Sequence, residues 1–232
     1  MNLLLNTPAL NVYEHMALDE QEVRVRANEV TLRFYHWVSG PAVTFGYAQF
    51  IHEVRRALQE RHFSGLYARR PTGGGVVFHE DDLTFSLVFT SSLRPTEIYK
   101  KLHAFILHSL AEKGQGGQLF NAHLPPSAYA PSVEHRANAC FVRPVENDLL
   151  SSTGEKMLGG AIRRFGNTVL YQGSLQLPKA RTNPHYKRAI VEAVRAFLAV
   201  DLCPSACAEE LLNSARQLAQ AQYQTQVWTE KF

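Results

Sequence analysis

The residues from Arg69 to Glu80, Arg-Arg-Pro-Thr-Gly-Gly-Gly-Val-Val-Phe-His-Glu, join two guanidinium groups to three consecutive glycines. Glycines let the backbone take φ > 0 and lie against a ligand with no Cβ in the way. Forked donors and bare N–H groups would then converge on one small volume, which suits phosphate or carboxylate. Val76, Val77 and Phe78 read as a buried strand, with His79 and Glu80 where that strand meets solvent. The competing reading is a β-hairpin with a flexible tip and two solvated arginines. Two other anion cradles are excluded. No Gly-x-x-x-x-Gly-Lys-Ser/Thr string exists, and contiguous glycines leading into β-branched residues are not a dinucleotide fingerprint.

A second cluster lies at residues 139–177. Asp148-Leu149-Leu150 is strand-like, Thr153-Gly154-Glu155 turns, and the chain returns through Lys156-Met157-Leu158-Gly159-Gly160-Ala161. The result is a hairpin whose far arm opens with a lysine. Lysine after Gly-Glu is ordinarily a solvated turn residue, but Gly159, Gly160 and Ala161 open space beside it where bulk normally fills a core. Residues 139–142, Ala-Cys-Phe-Val, read as an apolar strand in which the free Cys140 is simply buried.

The string Arg-Arg-Pro-Thr-Gly-Gly-Gly-Val-Val-Phe-His resembles the signature of the lipoate-protein ligase and octanoyltransferase family. The family's lysine element, Gly-x-Lys-x-x-Gly-x-Ala-x-Arg-Arg, is matched at Gly154, Lys156, Gly159, Ala161, Arg163 and Arg164, with Ile162 in place of the customary Gln. His15-Met16-Ala17-Leu18-Asp19-Glu20 resembles the helix that opens the family's catalytic domain, and Gly46-Tyr47-Ala48-Gln49 its Gly-x-x-Gln element lining the acyl tunnel. Gln172-Gly173-Ser174-Leu175 resembles the strand behind the site. The resemblance implies an α+β fold, one domain with a central mixed, mainly antiparallel sheet flanked by helices. The catalytic domain is expected to span residues 1–232 with no accessory C-terminal domain, a departure from many ligases of the family that weakens the full-ligase reading. Lys156 becomes the essential lysine, and Arg69, Arg70, Thr72, Gly73, Gly74, Gly75, His79, Tyr47, Gln49, Gly159 and Ala161 become acyl- or nucleotide-binding residues.

Two chemistries follow from the resemblance. A lipoate-protein ligase makes an acyl-adenylate from ATP, with Mg²⁺ bridging the phosphates and Asn147 or Asp148 helping to hold it. Lys156 would draw the carboxylate in and later stabilise the oxyanion as the acceptor lysine attacks. An octanoyltransferase instead takes its acyl group from acyl carrier protein through a cysteine thioester, without ATP. Cys140-Phe141 sits where one branch of those enzymes carries its nucleophile. In both routes the acceptor is a lipoyl-domain protein, a 2-oxoacid dehydrogenase subunit or the glycine cleavage H protein. The double-arginine, triple-glycine and His79 string looks most like that of ligases, so the sequence leans to the ATP-dependent product. Lipoate and octanoate stay undistinguished. A non-catalytic lipoate- or nucleotide-binding protein is the third reading, opposed by Arg70, the glycines and Lys156 standing together. Biotin ligase is disfavoured because Gly-Arg-Gly-Arg-x-Gly-Arg is missing.

The elements that must position these residues follow from periodicity. A helix starts at residue 14, strands cover residues 31–37 and 42–45, and a charged helix covers residues 53–61. A strand at residues 66–68 delivers Arg69 and Arg70, contiguous with the sheet that follows. Residues 83–90 form the clearest strand, with Phe85, Leu87 and Phe89 on one face. Residues 97–113 form an amphipathic helix on which His103 and His108 are solvated. Residues 115–138, with three prolines, read as an irregular connection that could serve as a flap. A helix at residues 208–221 and the aromatic segment 223–228 close the chain.

Composition bounds the partners. With 232 residues and 45% hydrophobic content, the chain can bury a real core in one domain. A net charge of +3 is too weak to argue for nucleic acid. Three cysteines without framework spacing suit a reducing compartment, and Cys203 and Cys207 lack a second ligand pair for zinc. The N-terminal apolar run is too short for a signal peptide or membrane span, so the expected location is cytoplasmic.

Overall fold

A computed structural model describes residues 2–25, 29–38, 40–123 and 144–232. Cys140, Phe141 and residues 124–138 of the irregular connection lie outside the described residues. The chain runs β1 (Leu3–Asn6), α1 (Val12–Val25), β2 (Thr31–Phe34), β3 (Ala42–Phe45), α2 (Ile51–Glu60), β4 (Leu66–Arg69), β5 (Val77–His79), β6 (Leu83–Thr90) and α3 (Pro95–Ala111). It continues through β7 (Gln118–Leu119), β8 (Leu149–Leu150), β9 (Lys156–Phe165), β10 (Thr168–Leu175), α4 (Pro184–Leu198), β11 (Cys203–Ala206), α5 (Glu209–Leu218), a π-helical turn (Ala219–Tyr223) and α6 (Gln226–Thr229).

Among the described residues the main sheet has eight strands in the order β11-β1-β2-β6-β10-β9-β8-β7. Pairing is parallel between β11, β1 and β2 and antiparallel across the rest, so the sheet is mixed and mainly antiparallel. The alternation of β6 sorts its side chains: Phe85, Leu87 and Phe89 join the core under α3 and α4, while Thr84 and Ser86 face the other way. In α3 the apolar stripe Ile98, Leu102, Ile106 and Leu110 is wholly buried, each side chain contributing roughly 1.5–3 kcal/mol. Pro95 at its first turn and the reciprocal Arg94–Glu97 cap fix where it begins. Helix α4 starts on Asn183, whose side chain accepts from His185 N–H, and buries Ala189, Ile190, Ala193 and Val194 in the same core. Helices α1 and α5 and the π-helical turn share a second core, with Met16, Leu18, Leu212 and Tyr223.

The glycine-rich segment does not continue the main sheet. Strands β4 and β5 flank β3 in a separate three-stranded sheet, β4 parallel and β5 antiparallel to it. Because β4 and β5 do not pair with each other, the segment between them is not a hairpin tip. It crosses over the end of β3 and rests on Gly46.

Candidate active site

Gly46 follows β3, and a Cβ there would lie 1.8 Å from the Gly74 carbonyl oxygen, so only glycine allows the crossing. Gly74 takes φ +85, a conformation L side chains rarely adopt. The crossing segment is also pinned from below: Thr72 donates to the Gln172 side-chain oxygen at 2.5 Å, and Tyr47 N–H donates to the Thr72 carbonyl at 2.8 Å. Across from it, the ladder pairs Gly159 with Ser174, Gly160 with Gly173 and Ala161 with Gln172. Small residues on both sides leave a narrow cavity of about 60 Å³, bounded also by Met16, Tyr35, Thr44, Val77 and Thr84.

Arg70, Gly74, Gly75, His79, Lys156, Gly159 and Ala161 line this cavity together. Gly73 does not line it, and a Cβ added there meets nothing within 4 Å. The two arginines of the expected clamp part company, as adjacent residues at a strand end must. Arg69 is fully buried and its guanidinium donates to the carbonyls of Tyr47, Gln49, Trp228 and Thr229 at 2.6–2.9 Å. The Trp228 indole N–H donates back to the Arg69 carbonyl at 3.0 Å. Arg69 therefore seams α6 to the turn after β3 rather than facing a ligand, and Tyr47 and Gln49 enter this seam through their backbones. The Tyr47 ring lies under the Arg163 guanidinium and between Trp228 and Phe232. Arg70 does reach the cavity, with its guanidinium donating to the carbonyls of Gly73 and Gly75 and to Thr44 Oγ1. It shapes the glycine segment instead of standing as a preformed phosphate fork.

His79 is buried at the cavity floor. Its Nδ1–H donates to Asp82 at 2.8 Å, and its Nε2 hydrogen-bonds the Thr44 hydroxyl at 2.8 Å. Burial alone would raise the Asp82 carboxyl, but the His79 imidazole beside it and hydrogen bonds from His79, Ser174 and Thr84 hold it below the ordinary value. A second polar layer centres on Asp19 of α1, which accepts from Arg33 at 2.5 Å, Ser86 at 2.6 Å, Gln172 at 2.7 Å and the Tyr35 hydroxyl. These residues were not singled out from the sequence as site residues. Their signal is nonetheless present: Thr84 and Ser86 on β6 stand opposite Ser174 and Gln172 on β10, polar at every second position of strands otherwise apolar.

Lys156 opens β9, with 8% of its side chain exposed. Its ammonium lies 2.7 Å from Asp148, whose side chain is fully buried. The other Asp148 oxygen accepts from Tyr99 at 2.5 Å, and its carboxylate also takes the Val145 N–H at 2.7 Å. Asn147 is strained at φ +68. The Asp148 carboxylate, expected with Asn147 to help hold magnesium, is engaged in this structure by an ammonium, a phenol and an amide. No group of three His, Cys, Asp or Glu that could hold a metal exists among the described residues. The expectation of a solvated His103 is overturned. It is fully buried between the Asn147 carbonyl and the Tyr171 hydroxyl, each at 2.8 Å, and burial lowers its pKa to about 3. His108 is exposed, as expected.

The family model described as lipoyl protein ligase A/B catalytic domain matches residues 11–183. Octanoyltransferase LipM from Symbiobacterium thermophilum is 35% identical over 171 residues, covering 71% of this chain and 61% of that protein. LipM from Moorella thermoacetica is 33% identical over 186 residues, covering 75% of this chain and 64% of that protein. The chain thus spans just under two thirds of the length of these curated relatives. Among solved structures, lipoate-protein ligase A bound with ATP superposes with a TM-score of 0.74 at 22% identity, covering 99% of this chain and 98% of that one. The bi-partite lipoate protein ligase of Thermoplasma acidophilum, from an archaeal lipoylation system described with its E2 lipoyl domain, gives 0.73 at 21%, covering 99% and 95%. At such identities these two matches speak for the fold. No helix among the described residues is long and apolar enough to cross a membrane.

Proposed function

Because the chain belongs to the lipoyl protein ligase A/B catalytic domain family, we propose that it is an octanoyltransferase. It moves a medium-chain acyl group from the thioester of an acyl carrier protein to a lysine of a lipoyl-domain protein. The observation that carries this reading is the engagement of both Arg69 and Arg70 with protein carbonyls, beside a slot of small residues and Lys156. That arrangement favours an uncharged, extended acyl chain over a triphosphate. The relatives named LipM support the same choice, against the lean of the signature string towards an ATP-dependent ligase.

In this reading the Cys140 thiolate attacks the thioester carbonyl. The C–S bond to the carrier breaks, and the departing thiolate takes a proton. The neutral ε-amine of the acceptor lysine then attacks the acyl-cysteine, the C–S bond to Cys140 breaks, the amide forms and Cys140 leaves as thiolate, while the proton lost by the amine passes to solvent and balances the one taken up by the carrier thiolate. Both steps pass through a tetrahedral oxyanion, and the Lys156 ammonium supplies the opposing charge. Gly159, Gly160 and Ala161 leave room for the chain, while Met16 and Val77 give it apolar walls.

The test is an acyl-transfer assay read by mass spectrometry. An apo lipoyl domain is incubated with the protein and either octanoyl-acyl carrier protein or lipoate with Mg-ATP. The expected outcome is octanoylation from the carrier that vanishes in Cys140→Ala. An ATP-dependent product that survives in Cys140→Ala, with none from the carrier, would reverse the reading in favour of the ligase.

A further inference from the structure

Helix α3 sends two side chains into the end of the main sheet where β8 and β9 meet, and neither has a part in the chemistry above. They are Tyr99 and His103, one turn apart with ring centroids 3.9 Å from each other. The Tyr99 hydroxyl donates to Asp148 at 2.5 Å and accepts the Gly160 N–H at 3.0 Å. It therefore bridges the turn that carries Asp148 and the strand that carries Lys156. His103 accepts the Tyr171 hydroxyl on Nε2 and donates from Nδ1 to the carbonyl of Asn147. Held neutral by burial, with its pKa at about 3, it keeps this donor–acceptor polarity at any pH near neutrality. Asn147 is the strained residue immediately before Asp148, so His103 anchors the backbone while Tyr99 anchors the carboxylate.

We infer that Asp148, held by Tyr99 and His103, is the positioning group for Lys156, fixing its ammonium against the cavity wall through the 2.7 Å ion pair. This inference rests on Lys156 being the catalytic lysine. A flexible lysine stem would otherwise spread the ammonium over several rotamers, and a donor misplaced by about 1 Å loses much of its effect on a developing oxyanion. The device acts only through Lys156. Its members do not line the cavity.

A double-mutant cycle on octanoyl transfer separates this role from its rivals, because residues acting through one group are non-additive. Asp148→Asn is expected to lower kcat about 10–100-fold with KM for the octanoyl donor within about 2-fold, and Tyr99→Phe about 3–10-fold. In single-turnover measurements on the Lys156→Ala background, both substitutions should cost less than about 2-fold further. Asp148→Glu should recover part of the loss. Tyr99→Phe leaves the charge balance intact and carries the cycle if Asp148→Asn does not fold. Losses that multiply fully in the Lys156→Ala background would overturn the inference, as would a wild-type kcat in Tyr99→Phe together with Asp148→Asn. Wild-type turnover of Lys156→Ala itself is a different failure: it removes the lysine from the reaction and leaves nothing to position.

Discussion

Lys156 and Arg69 show how differently two buried cations can be used. The Lys156 side chain ends at a cavity wall beside one carboxylate. The Arg69 guanidinium is spent on backbone carbonyls from two distant segments. Lys156→Ala is expected to fold and to lose about 10²-fold or more in the rate of acyl transfer, the effect of deleting one oxyanion donor. Near wild-type turnover in a folded variant would remove the lysine from the mechanism. Arg69→Met should do the reverse. Leaving several buried carbonyls without their charged donor costs about 3 kcal/mol, enough to lower the melting temperature by ~6–12 °C. The Trp228 emission should shift as α6 loosens. Loss of substrate binding with an unchanged melting temperature would return Arg69 to the role of a ligand clamp.

At the scale of elements, the position of each glycine decides its importance. Gly46→Ala drives a Cβ into the Gly74 carbonyl, and Gly74→Val adds bulk at φ +85. Each is expected to cost roughly 1–3 kcal/mol by overpacking or strain and to weaken octanoyl-ligand binding in calorimetry. Gly73→Ala meets open space and should stay within about 0.5 kcal/mol of wild type in urea unfolding. Uniformly small effects at all three positions would mean that the segment is only a flexible turn. The same local logic explains what the sequence disclosed. Strands β3 and β6 coincide with the residues their alternation predicts, and α3 falls within two residues of its periodic stripe. Strand β1 escaped notice because four residues, three of them leucine, carry no alternation. It is a strand because it lies between β2 and β11, and β11, which pairs Leu3 with Cys203, comes 200 positions later and includes a proline. His103 occupies a position on α3 that periodicity assigns to water. Its partners, Asn147 and Tyr171, lie 44 and 68 residues away, and no helical pattern contains them. The polar pairs of β6 and β10 were legible in principle as alternation. The commitment of Asp148 to Lys156 needed the register of β8 on β9.

Across the whole molecule, two buried histidines on different elements set the acid limit of stability. His15 is wholly buried; burial, and then the neighbouring Arg33, push its pKa well below the ordinary 6.5. His103 is pushed by burial to about 3. In the unfolded chain both bind protons near pH 6.5, whereas the folded protein stays neutral at these sites until far lower pH. Their contribution is therefore present above about pH 6.5 and is lost progressively as pH falls towards 3. Asp82, held below its ordinary 3.8, adds a loss only at more acid pH. On the alkaline side, Tyr35, Tyr99, Tyr171 and Tyr223 are raised above 10, chiefly by burial, so their contribution begins to fail only as pH rises past 10. Chemical unfolding should accordingly give a plateau between about pH 7 and 10. Below it stability should decline between pH 6.5 and 5, by up to roughly 2 kcal/mol for His103 at 1.36 kcal/mol per proton and pH unit, with His15 acting in the same direction. His103→Gln should be less stable at pH 7, because two buried partners lose a well-placed imidazole, yet should show a shallower acid slope, because one titrating group is gone. An unfolding free energy that is flat from pH 7 to 5, or an acid slope unchanged in His103→Gln, would contradict a neutral buried imidazole at the joint between α3 and the turn that carries Asp148.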